Sequence, residues 1–204
     1  KEFRLKIFND EEFINMMNSF NHFPGAQFDF RKQSFKDIKK KYKEFLMDRT
    51  KLPFRKNCEG YFFDDDGRVL ARDSGKGFLF FPGGGVDDKE EVEKALIRET
   101  FEETGAIVKN LRKTGELKFI WGENWAKTEK QRNRYEKYKG EDMHFFIGEI
   151  ERFDVLQKKE EDFWQGQKLI DIQKAIEIIE SGKPFDKEIR QYREMQLKAL
   201  RGFL

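Results

Sequence analysis

Four glutamates and one arginine lie close together in a segment that reads GGVDDKEEVEKALIRETFEETGA, from Gly84 to Ala106. The glutamates are Glu90, Glu99, Glu102 and Glu103, and the arginine is Arg98. Three of the acids are spaced i, i+3 and i+4, so they share one face of a helix, where like charges repel and are costly to bury unpaired. A hard divalent cation such as Mg²⁺ or Mn²⁺ would stabilise them, because both ions prefer oxygen ligands.

The helix that carries these acids also carries an apolar stripe. At about 100° per residue, Glu99 and Glu103 fall on the same azimuth as Val92, Ala95 and Leu96. We therefore expect the first half of the helix to pack on a core, while the second half presents carboxylates along the same line.

The segment resembles the Nudix box, which reads Gly, five residues, Glu, seven residues and then Arg-Glu-U-x-Glu-Glu-x-Gly-U, with U a bulky aliphatic residue. The positions in register are Gly84, Glu90, Arg98, Glu99, Glu102, Glu103 and Gly105, and the lead-in Phe81-Pro82-Gly83-Gly84 is also similar to that of the family. Thr100 and Ala106 depart from the pattern, where aliphatic residues are usual. Neither is a ligand position, and Ile107 could supply the missing apolar contact.

The resemblance implies metal-dependent hydrolysis of the pyrophosphate linkage in a nucleoside diphosphate that is joined to another moiety. By this likeness the metal ligands are the Gly83 carbonyl, Glu99, Glu102 and Glu103, with Glu90 near the metal network and Arg98 orienting the acids. Glu99 is also a candidate for the general base, since family members differ in which group has that role. A bound metal ion would neutralise phosphate oxygens and lower the pKa of the attacking water.

The family often completes such a site with an acid from a later loop. Glu161 is the candidate here, together with its neighbours Glu160 and Asp162, because they lie between two predicted strands. An ordinary solvated turn is the alternative for these three residues. Glu141 and Asp142, at the start of another predicted strand, are weaker candidates.

Substrate contacts are expected from aromatic rings that could stack on a base and from arginines that could bind phosphate. The candidates are Phe80, Trp121, Trp125, Tyr135, Tyr138, Arg132 and Arg134. Core or loop packing is the alternative for the rings, and simple solvation is the alternative for the arginines. Most of these residues lie in the polar segment 122–142, which we expect to lie beside the catalytic helix and to shape the pocket for the variable part of the substrate.

The variable part of the substrate stays open between nucleoside triphosphates, nucleotide sugars, ADP-ribose and dinucleotides. The coenzyme A signature is not evident before the box, and Ile120-Trp121-Gly122 lacks the proline that several ADP-ribose hydrolases carry there. One alternative function is an RNA-cap-type pyrophosphohydrolase that grips RNA with the basic face of a predicted helix around Lys36–Lys43. Another is a non-catalytic nucleotide-sensing module on a Nudix scaffold, although such modules typically lose the box acids.

The composition sets broad limits. The 204 residues include 41 basic and 39 acidic side chains, for a net charge of +2, so no global field favours nucleic acid or membrane as a partner. Charged residues make up 39% of the chain, and apolar runs are too short to span a bilayer. The single cysteine, Cys58, excludes an intramolecular disulfide and favours a reducing, cytoplasmic location. A small nucleotide is the expected partner, a homodimer stays open, and the start at Lys1 leaves the native N-terminus open.

The elements that must position the acids alternate between strands and helices, which indicates an α/β protein with a mixed sheet covered by helices. The resemblance sharpens this to a Nudix-type α/β/α sandwich over residues 53–204 with C-terminal helices, preceded by a mostly helical extension over residues 1–52. Strands are predicted at Cys58–Phe63, Arg68–Arg72, Phe78–Phe81, in two pieces within Leu111–Trp121, at Met143–Ile150 and near Trp164–Ile170. Helices are predicted at Asp88–Thr104 with Gly105 as C-cap, after Asp171, and from Asp186 to Leu200. The glycines 83–85 and the segment 122–142 are predicted as loops.

Overall fold

A mixed sheet forms the centre of the fold. The computed structural model describes residues 49–122, 125–155, 164, 168–182 and 187–203. The strands are β1 (Phe54–Phe63), β2 (Arg68–Leu70), β3 (Arg72–Asp73), β4 (Leu79–Phe80), β5 (Gly83–Gly85), β6 (Ala106–Ile120), β7 (Gly140–Phe153) and β8 (Leu169–Asp171). The helices are α1 (Val92–Thr104), α2 (Glu129–Lys137), α3 (Ile172–Ser181) and α4 (Lys187–Arg201), and a 3-10 turn spans Arg49–Lys51. The main sheet has the order β6-β7-β1-β2-β8, with β5 also paired to β1, whereas β3 and β4 form a separate pair.

The central pair of the sheet is parallel. β1 and β7 run side by side from Phe54 opposite Gly140 to Phe63 opposite Glu149, and β6 pairs with β7 in the antiparallel sense. The last six residues of β1 are all buried, which is typical of a strand covered on both faces. Both faces of the sheet must therefore be covered by other elements.

Two hydrophobic cores, one on each face, provide this cover. On the first face Cys58 and Phe62 of β1 pack with Ala95 and Leu96 of α1; we call it the α1 face. On the opposite face Tyr61, Phe63 and Phe145 pack with apolar residues of α3 and α4, among them Ile172, Ile176 and Leu200; we call it the α4 face. The predicted α/β/α sandwich with C-terminal helices is confirmed.

α1, the helix that carries the acids Glu99, Glu102 and Glu103, is shorter than predicted. It begins at Val92 rather than at Asp88, because residues 87–90 form a turn in which the Glu90 amide donates to the Asp87 carbonyl at 3.1 Å. Lys89 has a left-handed φ of 68°, which interrupts any helix at this point. The predicted end is confirmed, since Gly105 is left-handed and its amide donates to the Phe101 carbonyl.

Other predicted boundaries were wrong where tertiary pairing decided the outcome. The glycines 83–85, predicted as a loop, pair with β1 as β5, and β6 is one long strand with bulges, one of them at the predicted break near Gly115. The predicted return strand Arg68–Arg72 is divided at Ala71, whose amide donates to the Lys168 carbonyl. β4 is shorter than its predicted span and only half-buried, with Phe80 42% exposed.

The predictions for the C-terminal helices agree more closely with the structure. The Asp171 carboxylate caps α3 by accepting from the Lys174 amide at 3.1 Å, as predicted. α4 ends one residue beyond its predicted limit. β8 contains the last two residues of the strand predicted near Trp164–Ile170, and residues 165–167 of that prediction lie outside the described part of the chain. The segment 122–142 contains α2, which the prediction missed; α2 begins at a capping box formed by Thr128 and Gln131.

Three predictions fall on residues outside the described part of the chain. These are the helical extension, except for its last four residues, the basic face around Lys36–Lys43, and the acids Glu160, Glu161 and Asp162. The domain boundary between residues 52 and 53 stays a prediction. Within the described residues, none of the helices has the length and apolar character that crossing a membrane requires.

Candidate active site

β5 and α1 bring the box residues together on the α1 face. Gly84 lies opposite Cys58 in the pairing of β5 with β1, directly above the carboxyl group of Glu99. A Cβ atom on Gly84 would come within 2.3 Å of that carboxyl group. Gly83 has a φ of 154°, and a Cβ there would meet the Cys58 carbonyl oxygen at 2.1 Å. Glycine at position 83 therefore lets the strand lie close to the backbone of β1, and glycine at position 84 lets it lie close to the Glu99 carboxyl group.

Arg98 connects most of the acid cluster. Its guanidinium donates to both oxygens of Glu90, at 3.0 and 2.9 Å, and from Nη1 to Glu99 Oε1 at 3.0 Å and Glu102 Oε2 at 3.1 Å. Nη2 also donates to the Gly85 carbonyl at 3.2 Å. The Arg98 hydrogen bonds hold the pKa of Glu90 below its usual range, and the carboxylates raise the pKa of Arg98. This geometry supports the predicted role of Arg98 in orienting the acids.

Glu90 has a different position from the other acids. Both of its oxygens are engaged by Arg98, and Oε2 also accepts from the Asp87 amide at 3.1 Å. It therefore reaches the acid cluster through Arg98, and a direct contact between Glu90 and a metal stays a prediction.

The remaining acids differ in their partners. Glu103 Oε2 accepts from the Gly83 amide at 3.1 Å, which ties the helix to the glycine strand. Burial raises the pKa of Glu99, although the hydrogen bond from Arg98 opposes this effect. Among the described residues, the second oxygens of Glu99 and Glu102 make no hydrogen bond. Glu99, Glu102 and Glu103 offer only oxygen atoms as ligands, which is the donor type that Mg²⁺ and Mn²⁺ prefer, so the chemistry of these residues fits either ion.

A cavity of about 1010 Å³ opens next to this cluster. Its wall includes Phe54, Arg55, Lys56, the segment 85–90 and Tyr138. Three cationic side chains, Arg55, Lys56 and Lys89, stand at a wall that also contains Asp87, Asp88 and Glu90. An anionic ligand could contact these cations, although the three acids balance their charge. The sequence analysis missed Arg55 and Lys56, because more than 30 residues separate them from Glu90 and only the sheet brings them together. It also missed Lys89, the neighbour of Glu90 in the sequence.

The aromatic residues predicted to contact substrate lie in different places in the structure. Trp121 is only 3% exposed and stacks on Trp125 with ring centroids 3.8 Å apart, while Tyr135 lies 6.5 Å beyond Trp125. Among the described residues, the wall of the large cavity includes Tyr138 but neither Trp125 nor Tyr135. Trp121, Trp125 and Tyr135 therefore pack on one another, as the alternative of loop packing predicts. Of the predicted aromatic residues, Tyr138 is the one that lines the cavity beside Glu90.

The other residues predicted to contact substrate, Phe80, Arg132 and Arg134, are not among the residues that line the large cavity. Phe80 lines a smaller cavity of about 230 Å³ on the α4 face, with the Arg72 guanidinium 4.9 Å from its ring centroid. Arg132 donates to the Lys127 carbonyl at 2.9 Å and so stabilises its own loop. Arg134 acts electrostatically on Glu141, a carboxyl whose pKa is raised by burial and lowered in part by Arg55 at 3.6 Å.

A buried carboxyl that the sequence analysis missed is that of Glu59. It is 7% exposed and accepts hydrogen bonds from the Tyr61 hydroxyl at 2.6 Å, from the Tyr192 hydroxyl and from the Gln196 amide at 3.3 Å. Burial raises its pKa, and the three hydrogen bonds oppose the rise. The available signal was a lone glutamate in the otherwise apolar run of β1.

Comparisons with known proteins agree on a single family. Residues 55–192 match the family model of the NUDIX domain. An RNA pyrophosphohydrolase of Sphingopyxis alaskensis (strain DSM 13593 / LMG 18877 / RB2256) is 31% identical over 149 residues, which cover 64% of this chain and 88% of that protein. Among solved structures, a NUDIX hydrolase from Nitrosomonas europaea has a TM-score of 0.48 at 16% identity, covering 70% of this chain and 88% of that one. The MutT protein from Methanosarcina mazei Go1 has a TM-score of 0.45 at 17% identity, covering 75% and 97%. These structural similarities are low, so the family assignment rests on the sequence matches.

Proposed function

Because the chain belongs to the Nudix family and is a hydrolase of phosphorus-containing anhydrides, we propose that it cleaves the pyrophosphate linkage of a nucleoside diphosphate joined to another moiety. The observation that carries the proposal is the acid cluster of α1, which Arg98 organises directly beneath the glycine strand. The Gly83 carbonyl, Glu99, Glu102 and Glu103 would hold a divalent cation there. Bound Mg²⁺ or Mn²⁺ would offset the charge of the phosphate oxygens and acidify a coordinated water.

The chain's own residues have two tasks in this reaction. Arg98 keeps Glu99 and Glu102 side by side despite their repulsion, through hydrogen bonds of 3.0 and 3.1 Å. Glu99 accepts a proton more readily than an ordinary glutamate, because burial raises its pKa. Glu99 therefore remains the candidate for the general base as well as a candidate ligand.

The large cavity is the proposed site for the phosphates and the variable moiety. Its volume of about 1010 Å³ is at the upper end for small-molecule sites, which are typically about 300–1,000 Å³. Arg55, Lys56 and Lys89 supply positive charge for phosphate oxygens, and Phe54 and Tyr138 supply ring faces for a base or sugar.

A second candidate substrate is RNA with a pyrophosphate linkage. The observation in its favour is the relative of 31% identity that is named an RNA pyrophosphohydrolase. Arg55, Lys56 and Lys89 in the cavity wall could contact the phosphates of an RNA end as well as those of a free nucleotide. A net charge of only +2 gives this candidate little long-range support.

A substrate panel tests both candidates. Nucleoside triphosphates, ADP-ribose, nucleotide sugars, dinucleoside polyphosphates, and triphosphate-ended or capped RNA would each be incubated with Mg²⁺ or Mn²⁺. We expect turnover of at least one substrate, complete loss of turnover with excess chelator, and recovery on adding metal. An RNA substrate would also show a rate that falls steeply with salt. Tight binding of a nucleotide without turnover of any substrate would instead support the non-catalytic sensing module, and full turnover in chelator would contradict the metal requirement.

A further inference from the structure

A second group of ligand-type side chains lies on the α1 face of the sheet, where β6 and β7 pair. Asp142 and His144 are two residues apart on β7, so they project from the same face. Glu116 on β6 lies directly opposite His144 in the antiparallel register. One ligand atom from each of the three side chains lies within 4.8 Å of the other two. All three residues come from β6 and β7, so they share no residue with the acids of α1.

The imidazole of His144 is buried inside this group and receives no hydrogen bond from the part of the chain that the structure describes. The residue is 8% exposed, and neither ring nitrogen has a hydrogen-bond partner among the described residues. Nδ1 is 3.7 Å from Glu116 Oε2 and Nε2 is 3.4 Å from Asp142 Oδ1, both longer than a hydrogen bond of good geometry. The buried Oδ1 atom of Asp142 is unpaired as well. Buried polar atoms of this kind are costly to leave unsatisfied, which indicates a missing ligand.

Two lysines hold the carboxylates in this arrangement. Lys113 Nζ lies 3.1 Å from Glu116 Oε1, and Lys118 Nζ lies 3.3 Å from Asp142 Oδ2. Each carboxylate therefore gives one oxygen to a lysine and turns the other towards the imidazole. Outer partners that fix the orientation of ligand groups in this way are a regular feature of metal sites.

The surroundings of His144 favour a cation over a purely hydrogen-bonded network. Each ring nitrogen faces a carboxylate oxygen, Nδ1 at 3.7 Å and Nε2 at 3.4 Å. A neutral imidazole has one N–H donor and one lone pair, and it can satisfy only one of two flanking carboxylates. The other carboxylate would then face the lone pair, which is repulsive unless a cation lies between them.

We propose that Glu116, Asp142 and His144 form a binding site for a first-row transition metal ion, with Zn²⁺ the best match. One imidazole nitrogen and two carboxylate oxygens are a ligand set that suits Zn²⁺, whereas the all-oxygen set on α1 suits Mg²⁺ or Mn²⁺. Tetrahedral ligands at about 2.1 Å from zinc lie roughly 3.4 Å from each other, and Nε2 of His144 and Oδ1 of Asp142 are 3.4 Å apart. Glu116 has an exposed side chain that can rotate to supply the third ligand. A metal bound here ties β6 to β7.

Zinc binding to metal-free protein tests the site directly. The parent protein for the test carries Glu102→Gln and Glu103→Gln, so that the acids of α1 do not compete. Calorimetric titration with Zn²⁺, and the visible absorption of Co²⁺ as a spectroscopic substitute, should each show one site in this parent. Adding His144→Gln should lower the affinity by at least about 100-fold, because it removes the nitrogen ligand. Zn²⁺ should also raise the thermal midpoint of the parent but not of the His144→Gln protein.

Two further variants keep the test decisive. His22→Gln, which removes the other histidine of the chain, should leave Zn²⁺ affinity unchanged. Glu116→Gln replaces an exposed ligand, so it should weaken Zn²⁺ binding even if His144→Gln fails to fold. Equal Zn²⁺ affinity in the parent, His144→Gln and Glu116→Gln proteins would overturn the proposal. The absence of Zn²⁺ binding by the parent would also overturn it, and Zn²⁺ binding by the wild-type protein alone would assign the metal to the acids of α1.

Discussion

At the scale of single residues, the site depends on one arginine that serves three carboxylates. Arg98 is suited to this because a guanidinium offers five N–H donors in a rigid plane, which a lysine does not. Nε and Nη2 of Arg98 donate to Glu90, and Nη1 donates to both Glu99 and Glu102. The cluster therefore exists in a defined arrangement before any cation binds.

The first prediction concerns the ligands proposed on α1. Glu102→Gln and Glu103→Gln keep side-chain volume but remove a negative charge, and each should lower the rate by roughly 10²- to 10⁴-fold, by analogy with loss of a catalytic group. Stability should hold or rise without metal, because repulsion among the acids falls. Turnover assays and denaturant unfolding would check this. A near-wild-type rate, or a variant that unfolds, would count against the assignment.

The second prediction concerns the glycine above Glu99. Gly84→Ala places a Cβ within 2.3 Å of the Glu99 carboxyl group, which must move because the glycine backbone is held by β1. Displacing a catalytic group by about 1 Å can cost roughly 100-fold in rate, while stability should change by less than about 1 kcal/mol because a flexible side chain yields.

Gly122→Ala is the matched control for this substitution. A Cβ at Gly122 meets no atom within 4 Å, so the rate should be unchanged. If Gly84→Ala retains full activity, Glu99 does not need the position that the structure shows.

The third prediction concerns the pH behaviour of Cys58. Burial raises the pKa of its thiol to about 12, against an ordinary value of 9.0, and the thiol donates a hydrogen bond to the Gly84 carbonyl with Sγ 3.4 Å from the oxygen. The folded state thus binds this proton more tightly than the unfolded state. Its contribution to stability is complete below pH 9 and is lost as the pH rises from 9 towards 12.

Unfolding and alkylation measurements would check this behaviour. The fall in the free energy of unfolding between pH 8 and pH 10.5 should be smaller in Cys58→Ala than in wild type. The wild-type thiol should also react with iodoacetamide at pH 8 only on unfolding. Fast alkylation of the native protein at that pH would show that the thiol is neither buried nor protonated.

At the scale of elements, the segment between β6 and β7 has two parts with different roles. Trp121, Trp125 and Tyr135 stack on one another and hold α2 against the end of β6. Tyr138, the C-cap of α2, instead lines the large cavity next to the segment 85–90. We infer that the stack positions α2 and that Tyr138 is the ring that meets substrate.

The fourth prediction separates these two roles. Stacking of a base on an aromatic ring is worth roughly 1–3 kcal/mol, so Tyr138→Ala should raise KM by about 5- to 150-fold with little change in kcat. Trp125→Ala should lower the thermal midpoint, because it opens the stack, and it raises KM only if that ring also contacts substrate. Unchanged KM in all of Tyr138→Ala, Trp125→Ala and Tyr135→Ala, with an altered oligomer size on a column, would show that the segment is an interface.

At the scale of the whole molecule, stability depends on covering both faces of one sheet. α1 covers one face at the glycine strand, and α3 with α4 covers the other through Ile172, Ile176 and Leu200. α4 also reaches the core polar group Glu59 through Tyr192 and Gln196. The C-terminal helix is therefore part of the domain core, and its loss would expose apolar surface and a buried carboxyl together.

The fifth prediction measures this contribution. Leu200 is fully buried, so Leu200→Ala should lower the free energy of unfolding by about 2–5 kcal/mol. Val155 is 94% exposed, so Val155→Ala is a matched control and should change it by no more than about 0.5 kcal/mol. Equal stabilities of the two variants by chemical denaturation would mean that α4 is not part of the core.

Much of the candidate site could be read from the sequence because its residues are neighbours along one helix. The spacing of Arg98, Glu99 and Glu102 fixes their relative positions within two turns, whatever the rest of the fold does. The same holds for Gly105 as a C-cap and for Asp171 as an N-cap, which are local hydrogen-bonding preferences. Family, fold class and enzymatic class all followed from this local pattern.

Only the tertiary structure decided which residues meet across the sheet. Residues 83–85 form a strand because they pair with β1. Arg55 and Lys56 line the cavity because β1 lies beside the turn at Glu90. Likewise, the meeting of Glu116 with His144 depends on the register of β6 on β7, which bulges shift in three places. Local patterns are determined by a few successive torsion angles, whereas long-range register is determined by the packing of both faces, which no short stretch of this chain encodes.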